Sequence, residues 1–298
     1  MRLCKKITVA CFLILLAMPN SFAQSFSDSL NWTVKCINLR NHSERSYSGT
    51  PNDLPSFQKL FKEKTVGFEN EDLVYIKLKF NGTDAILEDT LPYSQAKHFW
   101  TNHSLLLSDC EEYNYSSYSG RGGRRGLWVE PMFNKSFNNI ESEIDRKLKA
   151  PQGSGSFYLE YGGEANEDTR KIYPSLTRNQ LQTENIFYKN KNPKDLYFFL
   201  YLYGTGNANA IFSLNVTEFN MYDFHDNKFD FYSYTIPLSF KGWKQFAIRY
   251  SDMKIDMKRS TSNLTREPDK INSISYGLIN GLTKEKARLN IDYLMLLH

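Results

Sequence analysis

The last hundred residues read as successive β-strands, several of which alternate apolar and polar residues with a period of two. Phe212, Leu214 and Val216 alternate with polar neighbours, as do Phe246, Ile248 and Tyr250, then Ile274, Tyr276 and Leu278. The final run, Leu289 to Leu297, is expected to place Leu289, Ile291, Tyr293 and Met295 on one face. The pattern extends upstream. Val74, Ile76, Leu78 and Phe80 alternate with Tyr75, Lys77 and Lys79 before an Asn81-Gly82 turn, and Phe157, Leu159 and Tyr161 precede Gly162-Gly163. Short strands rich in Tyr and Phe argue for an all-β sandwich. Two stretches read instead as short helices: Ile140, Ile144 and Leu148, stopped by Pro151 and Gly153, and Ser56 to Glu63.

The first 23 residues read as an export signal. Arg2, Lys5 and Lys6 form the basic start, Ile7 to Met18 the apolar run, and Ser21-Phe-Ala23 the cleavage site. The apolar run is short for a membrane anchor, and no later segment reads as a transmembrane span. Removing the three basic residues lowers the formal net charge from +4 to +1. A near-neutral exported chain lacks the concentrated basic surface that a nucleic-acid partner requires. The expected location is secreted, periplasmic or at the cell surface. Asn-x-Ser/Thr triplets begin at Asn31, Asn41, Asn81, Asn102, Asn114, Asn134, Asn215 and Asn263.

Cys4 and Cys11 leave with the signal, so Cys36 and Cys110 remain. In an oxidising compartment they are expected to pair, closing a loop worth on the order of 4 kcal/mol.

Five pieces occur in a fixed order over the second half of the chain. They are Gly153-Ser-Gly-Ser-Phe-Tyr-Leu-Glu-Tyr161, Leu196-Tyr-Phe-Phe-Leu-Tyr-Leu-Tyr-Gly204, a hairpin from Ala210 to Thr217, Gly242-Trp-Lys244 leading into a strand, and the closing Ile291-Asp-Tyr293. In that order they resemble the galactose-binding-like jelly rolls of secreted bacterial carbohydrate-binding modules. The resemblance covers roughly half the chain. It implies an all-β jelly-roll sandwich over 150–298 and a β-rich N-terminal extension over 24–149, which is either part of the same sandwich or separate. One or two short helices complete the picture.

The resemblance also implies a glycan ligand, a poly- or oligosaccharide that is extracellular or on the cell surface. Trp243 is expected to be a packing residue, as that tryptophan usually is in this family. The sugar platform is expected from Trp128, Tyr222, Tyr232 and Tyr234, with Asp226, Asp230 and Arg124 bonding the hydroxyls or gripping acidic groups. Arg124 belongs to the Gly120-Arg-Gly-Gly-Arg-Arg-Gly126 loop. Many jelly rolls of this kind hold a structural Ca²⁺ with a last-strand Asp. Asp292 matches that position, and Glu69 or Asp72 would belong to an early acidic loop.

Catalytic readings are thinner. Glu143-Ile-Asp145 begins the Glu-x-Asp-x-Glu pattern of laminarinase-like hydrolases, but Lys147 stands where the second carboxylate is needed. GxSxG, HExxH, CxxC and Walker motifs do not occur. The reading that follows is a non-catalytic carbohydrate-binding protein. A polysaccharide lyase or glycoside hydrolase, and a structural or adhesive surface protein, are its competitors.

Overall fold

The computed structural model describes residues 28–111, 128–131, 140–161, 171–172, 174–177, 192–218, 228–280 and 286–298. The expected export signal, Arg124, Tyr222 and Asp226 lie outside these residues.

Three β layers are stacked. The first is a four-stranded sheet of β1 (Trp32–Asn38), β2 (Glu44–Gly49), β3 (Leu73–Phe80) and β4 (Ile86–Pro92), in the order β2-β1-β3-β4. Its inward residues, Trp32, Val34, Cys36, Val74, Ile76, Leu78 and Phe80, are all buried. Helix α1 (Phe57–Lys64) covers part of that face by burying Phe57 and Phe61, one helical turn apart. Two short helices, α2 (Tyr93–Ala96) and α3 (Phe99–His103), follow. The expected helix at Ser56 to Glu63 is therefore present, shifted by one residue. Gly49 sits against the Trp32 indole: a Cβ there would lie 2.0 Å from Cζ2, so only glycine fits.

The remaining strands are β5 (Ser104–Ser108), β6 (Trp128–Pro131), β7 (Ile140–Asp145), β8 (Ser156–Tyr161), β9 (Lys171–Ile172), β10 (Pro174–Thr177), β11 (Tyr197–Thr205), β12 (Ala210–Glu218), β13 (Asp230–Pro237), β14 (Lys241–Arg249), β15 (Lys254–Ile255), β16 (Ile271–Asn280) and β17 (Ala287–Leu297). The middle layer is the six-stranded sheet β14-β11-β17-β8-β7, with β5 beside β17. The third is the seven-stranded sheet β15-β13-β12-β16-β10-β6, with β9 beside β16. The chain crosses between these two sheets after β5, β6, β8, β10, β11, β13, β14 and β16, which makes the pair a jelly-roll sandwich. The segments that precede residue 150 divide between the layers, since β5, β6 and β7 pair into the sandwich.

Along β11 and the second half of β17 the middle sheet is apolar on both faces, as strands covered twice must be. Along β11, Phe198, Leu200 and Leu202 face the sandwich core, while Tyr197, Phe199 and Tyr201 face the first layer. Phe80 of β3 meets Phe199 with ring centroids 4.5 Å apart. Gln245 of β14, buried in the same contact, donates its side-chain amide to the carbonyls of Ser29, Asn31 and Asn81.

Three expectations are corrected. Leu289, Ile291, Tyr293 and Met295 do not share a face. Phe199 pairs with Met295 but Tyr201 with Asp292, so β17 carries one extra residue, and Tyr293 adopts φ 53°. The bulge flips the phase: Leu289, Ile291, Leu294 and Leu296 enter the sandwich core, whereas Tyr293, Met295 and Leu297 pack towards the first layer. The stretch from Ile140 is a strand, not a helix, because β7 pairs with β8 from Ile140↔Tyr161 to Asp145↔Ser156. Finally, Cys36 and Cys110 are both free. Cys36 lies in the core of the first layer and Cys110 in the sandwich core, so the middle sheet separates them. Burial pushes both thiols up to about 12.

Candidate functional site

Strand β13 decides which aromatics face which way. Its register sets Tyr232 opposite Val216 and Tyr234 opposite Leu214, in the rows that close the sandwich core. Tyr232 is 1% exposed and is a core residue, which corrects its expected role as a sugar platform. Tyr234 is half-buried and packs on the same core. Asp230 is buried at the end of that phase, where its two carboxylate oxygens accept the backbone amides of Ser262 and Leu264 at 3.3 and 3.0 Å. It fastens a loop, which corrects its expected role in bonding sugar hydroxyls.

Beside Asp230 stands a second buried carboxylate. Glu218 faces Asp230 across β12 and β13, is 3% exposed, and accepts the Tyr250 hydroxyl and, at 2.7 Å, the Glu267 amide. Burial raises its carboxyl to about 7, with the Glu267 and Asp230 charges adding to the rise and the two hydrogen bonds opposing it. The Arg266 guanidinium lies 5.2 Å from the Tyr232 ring centre on the same side. This cluster ties the segment 256–270 to the sheet from within.

The opposite phase of β12 and β13 faces away from the core. Register aligns Thr235 with Ser213 and Gly277; Ser233 with Asn215, Ser275, Ser175 and Glu130; and Phe231 with Thr217, Ser273, Thr177 and Trp128. Thr235 is exposed, and Phe231, Ser233, Asn215 and Thr217 are half-buried. Polar residues thus line up by register in successive cross-strand rows, with Ser213 buried among them. Phe231 sits near one edge of this face, with the Arg259 guanidinium 4.2 Å from its ring centre. Trp128 lies at the far edge by register; its side chain is outside the described part. The Nδ2 of Asn215 is buried without a partner among the described residues, so the Asn215 triplet sits mid-strand with its acceptor nitrogen covered.

The expected Ca²⁺ was tested at Asp292. This side chain is fully buried; Oδ2 accepts the Gln152 amide at 2.8 Å and Oδ1 has no partner among the described residues. Burial holds the carboxyl well above its ordinary range, the Gln152 amide opposing it and the Glu111 and Asp109 charges adding to it. Glu111 is already committed to the amides of Ser154 and Gly155. Asp72 pairs with Arg40 at 2.7 Å and accepts from Asn38 and Glu69, and Glu69 pairs with Arg40 at 2.8 Å. No group of three or more His, Cys, Asp or Glu forms a metal cluster among the described residues. A Ca²⁺ shell needs six to eight oxygens, and these residues do not fit one.

Asp145, from the hydrolase-like stretch, is also structural. Burial works against its charge, but the amides of Leu148 and Lys147, the Asn290 side chain and the Arg288 charge hold its carboxyl below the ordinary range. Arg288 reaches it at 2.7 Å. Trp243 is half-buried, packs on the core of the first layer and donates Nε1 to the Lys149 carbonyl at 2.8 Å, in line with a packing role.

Phe231, Ser233, Thr235 and Asn215, which lie on the outward phase, are not among the binding residues expected from the sequence. The signal was available in Asp230-Phe-Tyr-Ser-Tyr-Thr-Ile-Pro237, where the phase holding Ser233 and Thr235 is the polar one.

No family model matches the chain, and no curated protein matches it. Several solved structures are similar in fold. A family 11 carbohydrate-binding module from Clostridium thermocellum, in complex with a β-1,3-1,4-mixed-linked tetrasaccharide, is 17% identical, with TM-score 0.41 over 65% of this chain and 95% of that one. A family 30 carbohydrate-binding module is 11% identical, with TM-score 0.36 over 53% and 77%. A family 28 module specific for non-crystalline cellulose is 13% identical, with TM-score 0.31 over 51% and 78%.

Proposed function

We propose that this chain is an exported, non-catalytic glycan-binding protein that takes a poly- or oligosaccharide across the outward face of its seven-stranded sheet. One observation carries the reading: the cross-strand rows that set Ser233 beside Asn215 and Phe231 beside Thr217 on a face away from the core. A hydroxyl both donates and accepts, so the Ser233, Thr235 and Thr217 hydroxyls match the hydroxyl pattern of a sugar chain. An aromatic ring at the edge supplies an apolar surface for the sugar's C–H groups. The other face of the sheet is packed into the sandwich core, which holds the platform rigid. The first layer packs on the equivalent face of the middle sheet along β11, β14 and the end of β17.

A glycan array tests the reading. Wild-type protein should bind at least one glycan, and Phe231→Ala should weaken that binding by roughly fivefold or more while leaving the melting temperature near its starting value. A blank wild-type array, or undiminished binding in Phe231→Ala, contradicts it.

A further inference from the structure

The first layer has an outward face of its own, and nothing above gives it a task. On this face Thr33 and Lys35 of β1, Ser46 and Ser48 of β2, and Lys77 and Lys79 of β3 line a shallow groove of about 430 Å³. The register concentrates positive charge there. Lys35 stands directly opposite Lys77 across β1 and β3, and Lys79 follows two residues later on the same face. Like charges opposite one another in a sheet are destabilising, so this arrangement has a cost that polar surface alone does not require. Two carboxylates offset it in part, and one of them, Glu88, stands directly opposite Lys77 across β3 and β4. Glu44 takes Lys35 at 2.7 Å, and Glu88 sits 3.5 Å from Lys77 while also accepting the Tyr75 hydroxyl at 2.7 Å. Lys79 is exposed and has no ion pair among the described residues. The backbone beneath cannot shift to relieve the repulsion, because the inward residues of β1 and β3 are buried in the core.

We infer that this groove is a second binding surface, for the carboxylate or sulfate groups of an anionic polysaccharide. Three ammonium groups on a rigid sheet present point charges at strand spacing, and the Thr33, Ser46 and Ser48 hydroxyls between them donate to and accept from the sugar. An anion lying over Lys35, Lys77 and Lys79 relieves their mutual repulsion. The charge complementarity is independent of the seven-stranded sheet; the choice of a glycan as the carrier of the anions rests on the function proposed above.

Affinity electrophoresis through gels containing polygalacturonate, dextran sulfate, a neutral glucan or double-stranded DNA tests the inference, with wild-type protein, Lys35→Gln/Lys77→Gln/Lys79→Gln and Phe231→Ala. Wild type should be retarded by polygalacturonate or dextran sulfate at low salt, and the two gels distinguish carboxylate from sulfate. The triple variant should lose roughly tenfold or more of that affinity, raised salt should do the same, and Phe231→Ala should keep it. Equal melting temperatures would establish that the triple variant is folded. Retardation of the triple variant equal to wild type overturns the inference, as does a wild type retarded by neither polyanionic gel or by DNA alone. Failure of the seven-stranded face would register separately, as neutral-glycan binding that Phe231→Ala leaves intact.

Discussion

Glu218 shows how one buried side chain reports on the fold. Its carboxyl lies at about 7 in the folded protein against 4.5 when accessible, principally because it is buried. Between those pH values the unfolded chain has released the proton and the folded chain has kept it. Stability therefore falls as pH rises through that window and levels off above about 7, by a contribution on the order of 3 kcal/mol. Glu218→Gln keeps an acceptor for the Tyr250 hydroxyl and the Glu267 amide but cannot ionise. In urea titrations from pH 4.5 to 7.5 its stability should decline less than that of wild type by about that amount. Parallel declines would mean that Glu218 does not hold its proton. Asp292, whose carboxyl burial also raises, contributes with the same sign in both proteins. Neither acid could be recognised as buried from sequence, since charged residues are seldom buried and burial comes from partners distant along the chain.

At the scale of elements, alternation was a reliable guide wherever a strand kept one phase. β3, β8, β12 and β16 place their apolar residues as the period of two requires. It failed at β17 and β7 for separate reasons. In β17 a single extra residue at Tyr293 reverses the phase, and because Tyr293 to Leu297 is a continuous apolar run, the alternation marked upstream by Arg288, Asn290 and Asp292 does not say which phase follows the bulge. In β7 the spacing of Ile140, Ile144 and Leu148 suits a helix and a strand alike, and pairing with β8 decides it. The double burial of β11 and β17 was also hidden. A near-continuous apolar strand indicates cover on both sides, but not which segment supplies it. Phe199→Ala, which removes the ring against Phe80, should cost about 3–5 kcal/mol in chemical denaturation. A change below about 1 kcal/mol would mean that the first layer is not packed on the middle sheet through this contact.

For the molecule as a whole, the sandwich and the β-rich extension are legible in the sequence, whereas two of the expected platform residues lie on the inward phase. Tyr232 and Tyr234 drew attention as aromatics among acidic residues, yet their register with Val216 and Leu214 sends them inward. The cysteines were misread for a related reason: compartment argues for pairing, but Cys36 and Cys110 enter different cores. Stacking the first layer on the sandwich covers part of the middle sheet, and the proposed glycan surface is the polar phase around Ser233 and Phe231. Backbone amide chemical-shift mapping, with an array-positive oligosaccharide titrated into the labelled protein, tests this most directly. The account expects the largest shifts in Ala210–Glu218, Asp230–Pro237 and Ile271–Asn280, with β1–β4 unmoved by a neutral ligand. Shifts centred on β1–β4, or on neither sheet, would contradict it.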